Sequence, residues 1–332
     1  MKRFLKSNFL IAIVVITVLL LTACGSNNSK NDNTNNANVD FPEKDLKVIV
    51  PFGPGGAVDT INRIIANNAD EYINDNSMVI ENKEGGGAVL GQTEVANAQP
   101  DGYTLLAYTS SVVGNSLTED TSFEYTDFAP VAMYSFEPEL LVVPEDSELD
   151  SFDKFEKKAK ESEIKLATPG HSTSHHIAGI LLEQDYDWNF DFVHTESAGE
   201  QTQQLLGGHV EAALLTYGEV QSQIDDGSIV PLAVMSDDRL EEDTLKDVPT
   251  FKEKDIEMVY GPFRGVAVPK DTPDETVDKL EDAYQAIFDD EDFQNEMNDS
   301  GFELVQGDAN DLKERSETEA EYIEKVLPEL QE

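Results

Sequence analysis

Cysteine is almost absent from this chain, because Cys24 is the only one among 332 residues. A single cysteine excludes an internal disulfide and paired-thiol chemistry. Basic residues are also scarce: 23 Lys and Arg stand against 67 Asp and Glu, which gives a formal net charge of −44. Such a chain repels phosphate groups, so we expect neither nucleic acid nor an anionic membrane surface as a partner of its folded part.

The N-terminal segment has the composition of an export signal. Three basic residues precede residues 9–23, a stretch of 15 residues that is apolar apart from two threonines. This stretch is shorter than the ~20 residues that span a bilayer as a helix. Its ending, Leu21-Thr22-Ala23-Cys24, resembles a bacterial lipobox, whose cysteine is acylated. We predict a signal peptide at 1–23 and lipidation of Cys24; the alternative is an uncleaved anchor helix.

The segment after Cys24 has the composition of a tether. Seven of the 16 residues at 25–40 are asparagine, and Val39 is the only large apolar one. Such a segment cannot bury enough surface to offset its chain entropy. We therefore predict a lipidated cysteine and disordered tether at 24–40, with the fold beginning at Phe41.

The acidity indicates adaptation to salt. Removal of the signal peptide would remove three basic residues and no acidic one, which takes the net charge from −44 to −47. Charges of this density repel one another in dilute buffer, whereas ~1 M salt shortens the screening length to ~3 Å. The alternative is an ordinary acidic exported protein.

The order of the predicted elements indicates an α/β fold. A buried strand at Leu46–Val50 leads into the breaker-rich loop 51–56, and a helix opens near Asp59. Further strands are predicted at 78–81, 103–107, 164–167, 212–215 and 230–235, and further helices at 92–98, 175–182, 201–206 and 221–226. Strands that alternate with helices are typical of a mainly parallel sheet.

An internal similarity predicts two domains. Residues 141–147 (LVVPEDS) resemble residues 266–272 (VAVPKDT), and each segment is a strand that ends at proline before a helix start. We interpret them as two crossings between a discontinuous domain at 41–142 plus 265–332 and an inserted domain at 143–264. This arrangement makes a hinged cleft.

Two alternative sites, one catalytic and one metal-binding, arise near residue 170. Gly170-His171-Ser172-Thr173-Ser174 nearly matches the nucleophile elbow G-x-S-x-G, although Ser174 stands where glycine is required. A serine esterase using Ser172 is therefore a distant alternative, with candidate partners Asp187, Asp191, His194 and His209. A metal site at His171, His175 and His176 is a second one, but only two of these share helical spacing, so we predict no metal. The glycine-rich loops match neither dinucleotide nor P-loop signatures, and we predict no cofactor.

The glycine-rich loop after the first strand suggests anion binding. Gly53, Gly55 and Gly56 precede a helix, so several backbone N–H groups and the positive end of the helix dipole could face a carboxylate. The alternative is a tight turn that needs glycine for steric reasons only.

Six motifs follow one another along the chain. They are residues 50–60 (VPFGPGGAVDT), 79–83 (VIENK), 98–106 (AQPDGYTLL), 205–213 (LLGGHVEAA), 247–250 (DVPT) and 264–269 (RGVAVP). Together they resemble the solute receptors of tripartite tricarboxylate transporters, also called the Bug family. The resemblance implies a type II periplasmic-binding-protein-like fold with two α/β domains. It further implies a receptor, not an enzyme, that closes on an organic carboxylate and delivers it to membrane permease subunits.

The resemblance also implies a set of binding residues. The first carboxylate would lie on main-chain N–H groups of the loop 52–59, and hydroxyl groups would come from the end of a nearby strand. The implied residues in the first domain are Phe52, Gly53, Gly55, Gly56, Ala57, Asp59, Thr109 and Ser110. Those in the second are Thr168, Gly170, His171, Ser172, Thr173, Gly199, Glu200, Thr216 and Tyr217.

The chain departs from the family pattern at two positions. Ser172 replaces a glycine, which narrows the space for backbone approach to a ligand. Residues 196–198 (ESA) stand where many relatives carry Tyr-Lys-Gly, so Arg264 becomes the best cationic partner for a further carboxylate. Arg264 could equally form a hinge ion pair.

The sequence therefore predicts a monomeric, extracytoplasmic receptor held at the cell membrane by its lipid. A citrate-like tricarboxylate, a C4 dicarboxylate and an aromatic acid all fit as ligands. A carboxylate sensor that signals to a membrane protein is the alternative role.

Overall fold

The computed structural model describes residues 41–168, 173–195, 198–300 and 302–330, in which strands and helices alternate. The strands are β1 (Leu46–Val50), β2 (Met78–Asn82), β3 (Thr104–Thr109), β4 (Phe128–Phe136), β5 (Glu139–Pro144), β6 (Ile164–Thr168), β7 (Phe190–His194), β8 (Ala212–Thr216), β9 (Ile229–Val234) and β10 (Phe263–Pro269). The α helices are α1 (Ala57–Asn67), α2 (Val89–Ala96), α3 (Ser111–Thr118), α4 (Phe152–Glu161), α5 (Ser174–Tyr186), α6 (Ala198–Leu206), α7 (Tyr217–Asp225), α8 (Asp274–Phe288), α9 (Glu291–Asp299) and α10 (Ala309–Leu330).

The strands form two sheets of five with the same plan. The first sheet has the order β2-β1-β3-β10-β4, and the second has the order β7-β6-β8-β5-β9. The first three strands of each sheet are parallel, whereas β10 and β5 run antiparallel to both of their neighbours. The two segments with similar sequences, in β5 and β10, thus hold the same position in the two sheets.

The chain changes sheets twice. It leaves the first sheet after β4 and enters the second at β5, and it returns to the first sheet at β10. The predicted domain boundaries, at 142/143 and 264/265, lie within β5 and β10. The division into two domains with a hinge stays a prediction.

The central strands of both sheets are largely buried, whereas the edge strands β2 and β7 are only partly buried. Leu46, Val48 and Val50 of β1 belong to one apolar cluster, whereas Ile49 belongs to another, as alternating side chains require. The cluster that contains Ile49 continues into the second sheet and along α10. α10 packs against β4 of the first sheet and against α5 beside the second.

No helix in the part of the chain that the structure describes is both long enough and apolar enough to cross a membrane.

Candidate functional site

A cavity of about 710 Å³ lies between the two sheets. Its walls come from the start of α1 and from β10 on one side, from the start of α7 on the other, and from the chain between β4 and β5. The lining residues are Ala57, Glu137, Pro138, Tyr217, Gly218, Glu219, Gln221, Leu240, Glu241, Glu242, Arg264, Asn298, Ser300, Phe302 and Glu303. Three predicted site residues are among them: Ala57, Tyr217 and Arg264. The carboxyl ends of parallel strands in open α/β sheets are where ligands bind.

Asp59 holds the glycine-rich loop in place. One carboxylate oxygen accepts hydrogen bonds from the Gly55 N–H at 2.8 Å and from Arg63 Nε at 3.0 Å. The other accepts from Asn82 Nδ2 at 2.9 Å. Burial raises the pKa of Asp59, but the hydrogen bonds from Arg63, Gly55 and Asn82 outweigh it and lower the pKa to about 2. Both oxygens of the Asp59 carboxylate thus have hydrogen-bond donors within the protein, and the Gly55 N–H already donates to this carboxylate.

Gly56 begins α1 without a side-chain cap. Its φ of −78° lies in the ordinary region, in contrast to the φ of +85° at Gly55. The first N–H groups of a helix have no intrahelical acceptor, and they carry the positive end of the helix dipole. Because Ala57 lines the cavity, this end of α1 borders it. These N–H groups can bind an anion.

Phe52 and Gly53, the remaining predicted residues of the glycine-rich loop, make contacts within the protein. Phe52 packs against the core, and its carbonyl oxygen accepts a hydrogen bond from Asn82 Nδ2 at 3.0 Å. A Cβ at Gly53 would lie 2.9 Å from Glu84 Oε2, so glycine permits the close approach of this side chain.

Arg264 lies on β10 at the point where the chain changes sheets. Its guanidinium forms an ion pair with Glu137, which stands between β4 and β5, and donates to Ser135 Oγ at 3.1 Å. The arginine also lines the cavity. Arg264 therefore makes a contact at the crossing and borders the cavity, so the two predicted roles are compatible in space.

Thr109 and Ser110 end β3 and start α3. The Thr109 hydroxyl lies 2.7 Å from Ser111 Oγ, and the Ser110 N–H donates to the Phe263 carbonyl at 3.1 Å. Thr109 pairs with Arg264 across the sheet. These residues are thus next to a cavity wall, although neither lines the cavity.

The second sheet places its predicted residues at strand ends in the same way. Thr168 ends β6, and its hydroxyl lies 2.8 Å from His194 Nδ1. Thr173 caps α5 through a hydrogen bond from the His176 N–H, and Thr216 precedes α7. Gly199 and Glu200 lie in the first turn of α6. The predicted residues Gly170, His171 and Ser172, and with them the esterase nucleophile, lie outside the described residues, as does Cys24.

His175, Glu139 and Glu219 form a triad of ionisable side chains at the wall formed by α7, in which His175 and Glu139 are buried and Glu219 is exposed. His175 Nδ1 lies 3.1 Å from Glu139 Oε1, and its Nε2 lies 3.0 Å from Glu219 Oε2. Burial lowers the pKa of His175, but the charges of Glu139 and Glu219 outweigh it and raise the pKa to about 9. Burial raises the pKa of Glu139 to about 7 against the opposing charge of His175. His175, considered above as a metal ligand, thus lies between two carboxyl groups that favour its protonated form.

Sequence reasoning missed the acidic lining. Five of the lining residues are glutamates (Glu137, Glu219, Glu241, Glu242 and Glu303), whereas Arg264 is the one basic residue among the lining residues described. The sequence does mark Glu219, because Thr216 followed three residues later by glutamate is a capping-box pattern, which indicates a helix N-terminus. The others lie on connections whose path depends on the tertiary fold, and nothing local marks them.

A cleft between two such sheets, bordered by helix N-termini, defines the class of solute-binding receptors. The chain matches the family described as "Tripartite tricarboxylate transporter family receptor" over residues 61–330. A relative named "UPF0065 protein in tcbD-tcbE intergenic region", from Pseudomonas sp., is 33% identical over 250 residues, which is 72% of each chain. Protein BugT from Bordetella pertussis is 30% identical over 239 residues, or 70% of this chain and 72% of that protein. The chain therefore belongs to the tripartite tricarboxylate transporter receptors.

Solved structures share the fold. A ligand-free TctC solute-binding protein from Polaromonas superposes with a TM-score of 0.79 at 25% identity, over 86% of this chain and 99% of that one. An R. palustris protein with adipate gives 0.68 at 23% identity, over 88% and 98% of the two chains. MatC from Rhodopseudomonas palustris with bound malate gives 0.65 at 23% identity, over 86% and 99%. The predicted family and fold class are confirmed.

Proposed function

We propose that this receptor captures an organic carboxylate in the cavity between its sheets and delivers it to membrane permease subunits without catalysing a reaction. The observation that carries the proposal is the uncapped N-terminus of α1, which borders a cavity that also contains Arg264. Helix N–H groups and a guanidinium are the donors that carboxylates prefer. Further support comes from the two solved structures described above, one with adipate and one with bound malate.

A thermal-shift screen of organic acids in high salt tests the proposal. A ligand present at about a hundred times its dissociation constant should stabilise the full chain by ~2.7 kcal/mol. The screen should contain monocarboxylates, dicarboxylates, tricarboxylates and aromatic acids, with inorganic sulfate as a control for unspecific anion effects. If no acid raises the melting temperature more than sulfate does, the proposal is wrong.

The carboxylate sensor differs from the transport receptor in its membrane partner, not in its cleft. Cross-linking of the full chain in its native membrane, followed by identification of the captured subunit, distinguishes the two roles. Capture of a permease subunit supports delivery, and capture of a signalling protein supports sensing.

Arg264→Ala should weaken a dicarboxylate by about 10- to 100-fold, as expected when one charge-assisted hydrogen bond of ~1.5–3 kcal/mol is lost. A monocarboxylate that uses only the α1 terminus should lose less. The Arg264→Ala substitution also leaves Glu137 without its ion-pair partner beside the cavity. The double variant Arg264→Gln/Glu137→Gln should therefore recover part of the affinity. Calorimetry with matched mono- and dicarboxylates measures both effects; equal losses for the two ligand classes would contradict a role for Arg264 in ligand charge recognition.

Cys24→Ala should release the protein from membranes or leave its signal uncleaved. The reason is that the lipobox-like ending supplies one thiol for acylation, and the chain contains no other cysteine. Membrane fractionation and intact mass measure the outcome, with Ser26→Ala as a control that keeps the thiol. A mature-length Cys24→Ala protein that still fractionates with membranes would refute lipid anchoring.

The melting temperature should rise as NaCl increases from 0.1 M to ~2 M, because screening relieves repulsion in a chain with a net charge of −44. Sucrose, which stabilises folded proteins by exclusion without screening charges, is the matched control. A melting temperature that is flat or falls over the NaCl range would contradict salt adaptation.

A further inference from the structure

The side chain of Glu219 is held at the cavity wall by two directed contacts. Its Oε2 accepts a hydrogen bond from the Thr216 N–H at 2.8 Å and lies 3.0 Å from His175 Nε2. The residue lines the cavity, and its side chain remains 30% exposed. One carboxylate oxygen is thus bound to the protein while the group as a whole borders the space for the ligand.

The contact with His175 favours the ionised form of this carboxylate. His175 Nε2 faces Glu219, and its Nδ1 lies 3.0 Å from Ser174 Oγ and 3.1 Å from Glu139 Oε1. Burial lowers the pKa of His175, but the two carboxyl groups outweigh it and raise the pKa to about 9. Burial raises the pKa of Glu219, but its hydrogen bond to His175, the imidazolium charge and the Thr216 N–H outweigh it and lower the pKa. Glu139, which is fully buried on β5, holds the imidazolium from the opposite side. Rotation of Glu219 away from the cavity would leave this imidazolium with one partner fewer.

The cavity therefore has two walls of opposite preference. The start of α1 attracts negative charge, and Ala57 marks this wall. The other wall presents Glu219, with Glu241 and Glu242 beyond it, and these attract positive charge. Arg264 lies on the same side of the cavity as the start of α1, where it forms an ion pair with Glu137.

A ligand with negative charge alone finds its partners, the N-terminus of α1 and Arg264, on the first wall only. A carboxylate placed at the second wall would meet Glu219, and like charges in a partly dehydrated cavity repel strongly. A hydroxyl group could donate a hydrogen bond to Glu219, but it brings no charge. An ammonium group donates a hydrogen bond and also offsets the charge of the acidic wall.

We propose that Glu219 is a specificity-determining residue that binds the ammonium group of an amino-carboxylate ligand, whose carboxylate lies on the N-terminus of α1. The proposal rests on the proposed function, because it assigns a ligand class to the same cavity. Glu139 and His175 act through Glu219 and are positioning residues.

Matched acids that differ in one group test the proposal on the unaltered full chain. Three series are compared by calorimetry: succinate, malate and aspartate; glutarate, 2-hydroxyglutarate and glutamate; adipate and 2-aminoadipate. The amino member of at least one series should bind tenfold or more tightly than its plain diacid. Plain or hydroxy acids that bind as tightly as their amino counterparts would overturn the assignment of Glu219 while leaving carboxylate capture intact. If no acid of any class binds, the proposed function itself fails.

Glu219→Gln separates charge recognition from a structural role. Glutamine keeps a hydrogen-bond acceptor of the same length, so the preference for the amino member should fall by about tenfold while affinity for the plain diacid stays equal or improves. Asp225→Asn is the matched control, because Asp225 is an exposed carboxylate at the other end of α7 and outside the cavity lining. An equal loss for amino and plain acids in Glu219→Gln would show a structural role and overturn the proposal.

Discussion

Gly56→Val is expected to lower the affinity for a carboxylate ligand by about tenfold to a hundredfold while the fold persists. The new side chain would stand at the residue immediately before α1 and crowd the N–H groups that we propose as the carboxylate site. The interactions at risk are charge-assisted hydrogen bonds of ~1.5–3 kcal/mol each and the helix dipole. The fold should tolerate the change, because Gly56 has an ordinary φ and its Cβ would meet no atom closer than 3.9 Å.

Calorimetry and a melting curve together check this expectation. The loss of a favourable N-cap glycine should cost about 1 kcal/mol, or roughly 2–4 °C. Gly56→Ala should give an intermediate affinity. Gly114→Ala is the control, because that glycine lies within α3, a Cβ there meets nothing within 4 Å, and it is not in the cavity lining. The Gly114→Ala variant should bind the ligand as tightly as the unaltered chain, and its stability should rise slightly. Full affinity in Gly56→Val would remove the α1 terminus from the binding mechanism.

The second large effect expected is a loss of stability as pH rises from about 5 to 9. Burial raises the pKa of Glu319 to about 8, against an opposing hydrogen bond from Tyr260, and that of Glu139 to about 7. The carboxylates around His175 raise its pKa to about 9 although burial opposes them. All three values lie above those of the unfolded chain, so the folded state binds more protons. The stabilisation from these bound protons is complete at pH values below the pKa values of the unfolded chain. It is lost as pH rises through the pKa values of the folded chain.

Several carboxyl groups with lowered pKa values, Asp59 and Glu219 among them, set the acid side of this profile. The pKa values of Asp59 and Glu219 are lowered, so their stabilisation is present above the unfolded values and is lost as the solution becomes more acidic. Maximum stability is therefore expected at about pH 5, with a fall of about 10 °C in melting temperature by pH 9. Glu319→Gln keeps an acceptor for Tyr260 and should flatten the alkaline side, whereas Glu321→Gln, exposed on the same helix, should not. A melting temperature that rises between pH 5 and 9 would refute these assignments.

The sequence predicted the elements whose signals are local. The run LKVIV reads as a buried strand and is β1, and the glycine-rich loop precedes a helix as expected. The similarity between residues 141–147 and 266–272 pointed to corresponding places, and β5 and β10 hold equivalent positions in the two sheets. These features depend on residues adjacent in the chain, where apolar pattern and breakers decide the structure.

The side-chain chemistry of the site depended on distant residues and was harder to predict. Asp59 forms hydrogen bonds with Arg63, Asn82 and the Gly55 N–H, and its expected role at the ligand stays a prediction. That network joins a helix to the neighbouring strand β2, and no short motif encodes it. The family match begins at residue 61, after this loop, so the role given to the loop depends on its geometry. Glu137 and Glu139 became functional candidates only when the fold brought them to Arg264 and His175.

The apolar cluster that runs from Ile49 through both sheets to α10 has a consequence for how the molecule melts. Neither sheet can lose its packing alone, because each shares side-chain contacts with the other and with the same C-terminal helix. The described structure should thus unfold as one cooperative unit. A small acid in the cleft then stabilises the whole of that unit, including strands it never touches, so a single melting transition reports the occupancy of the site.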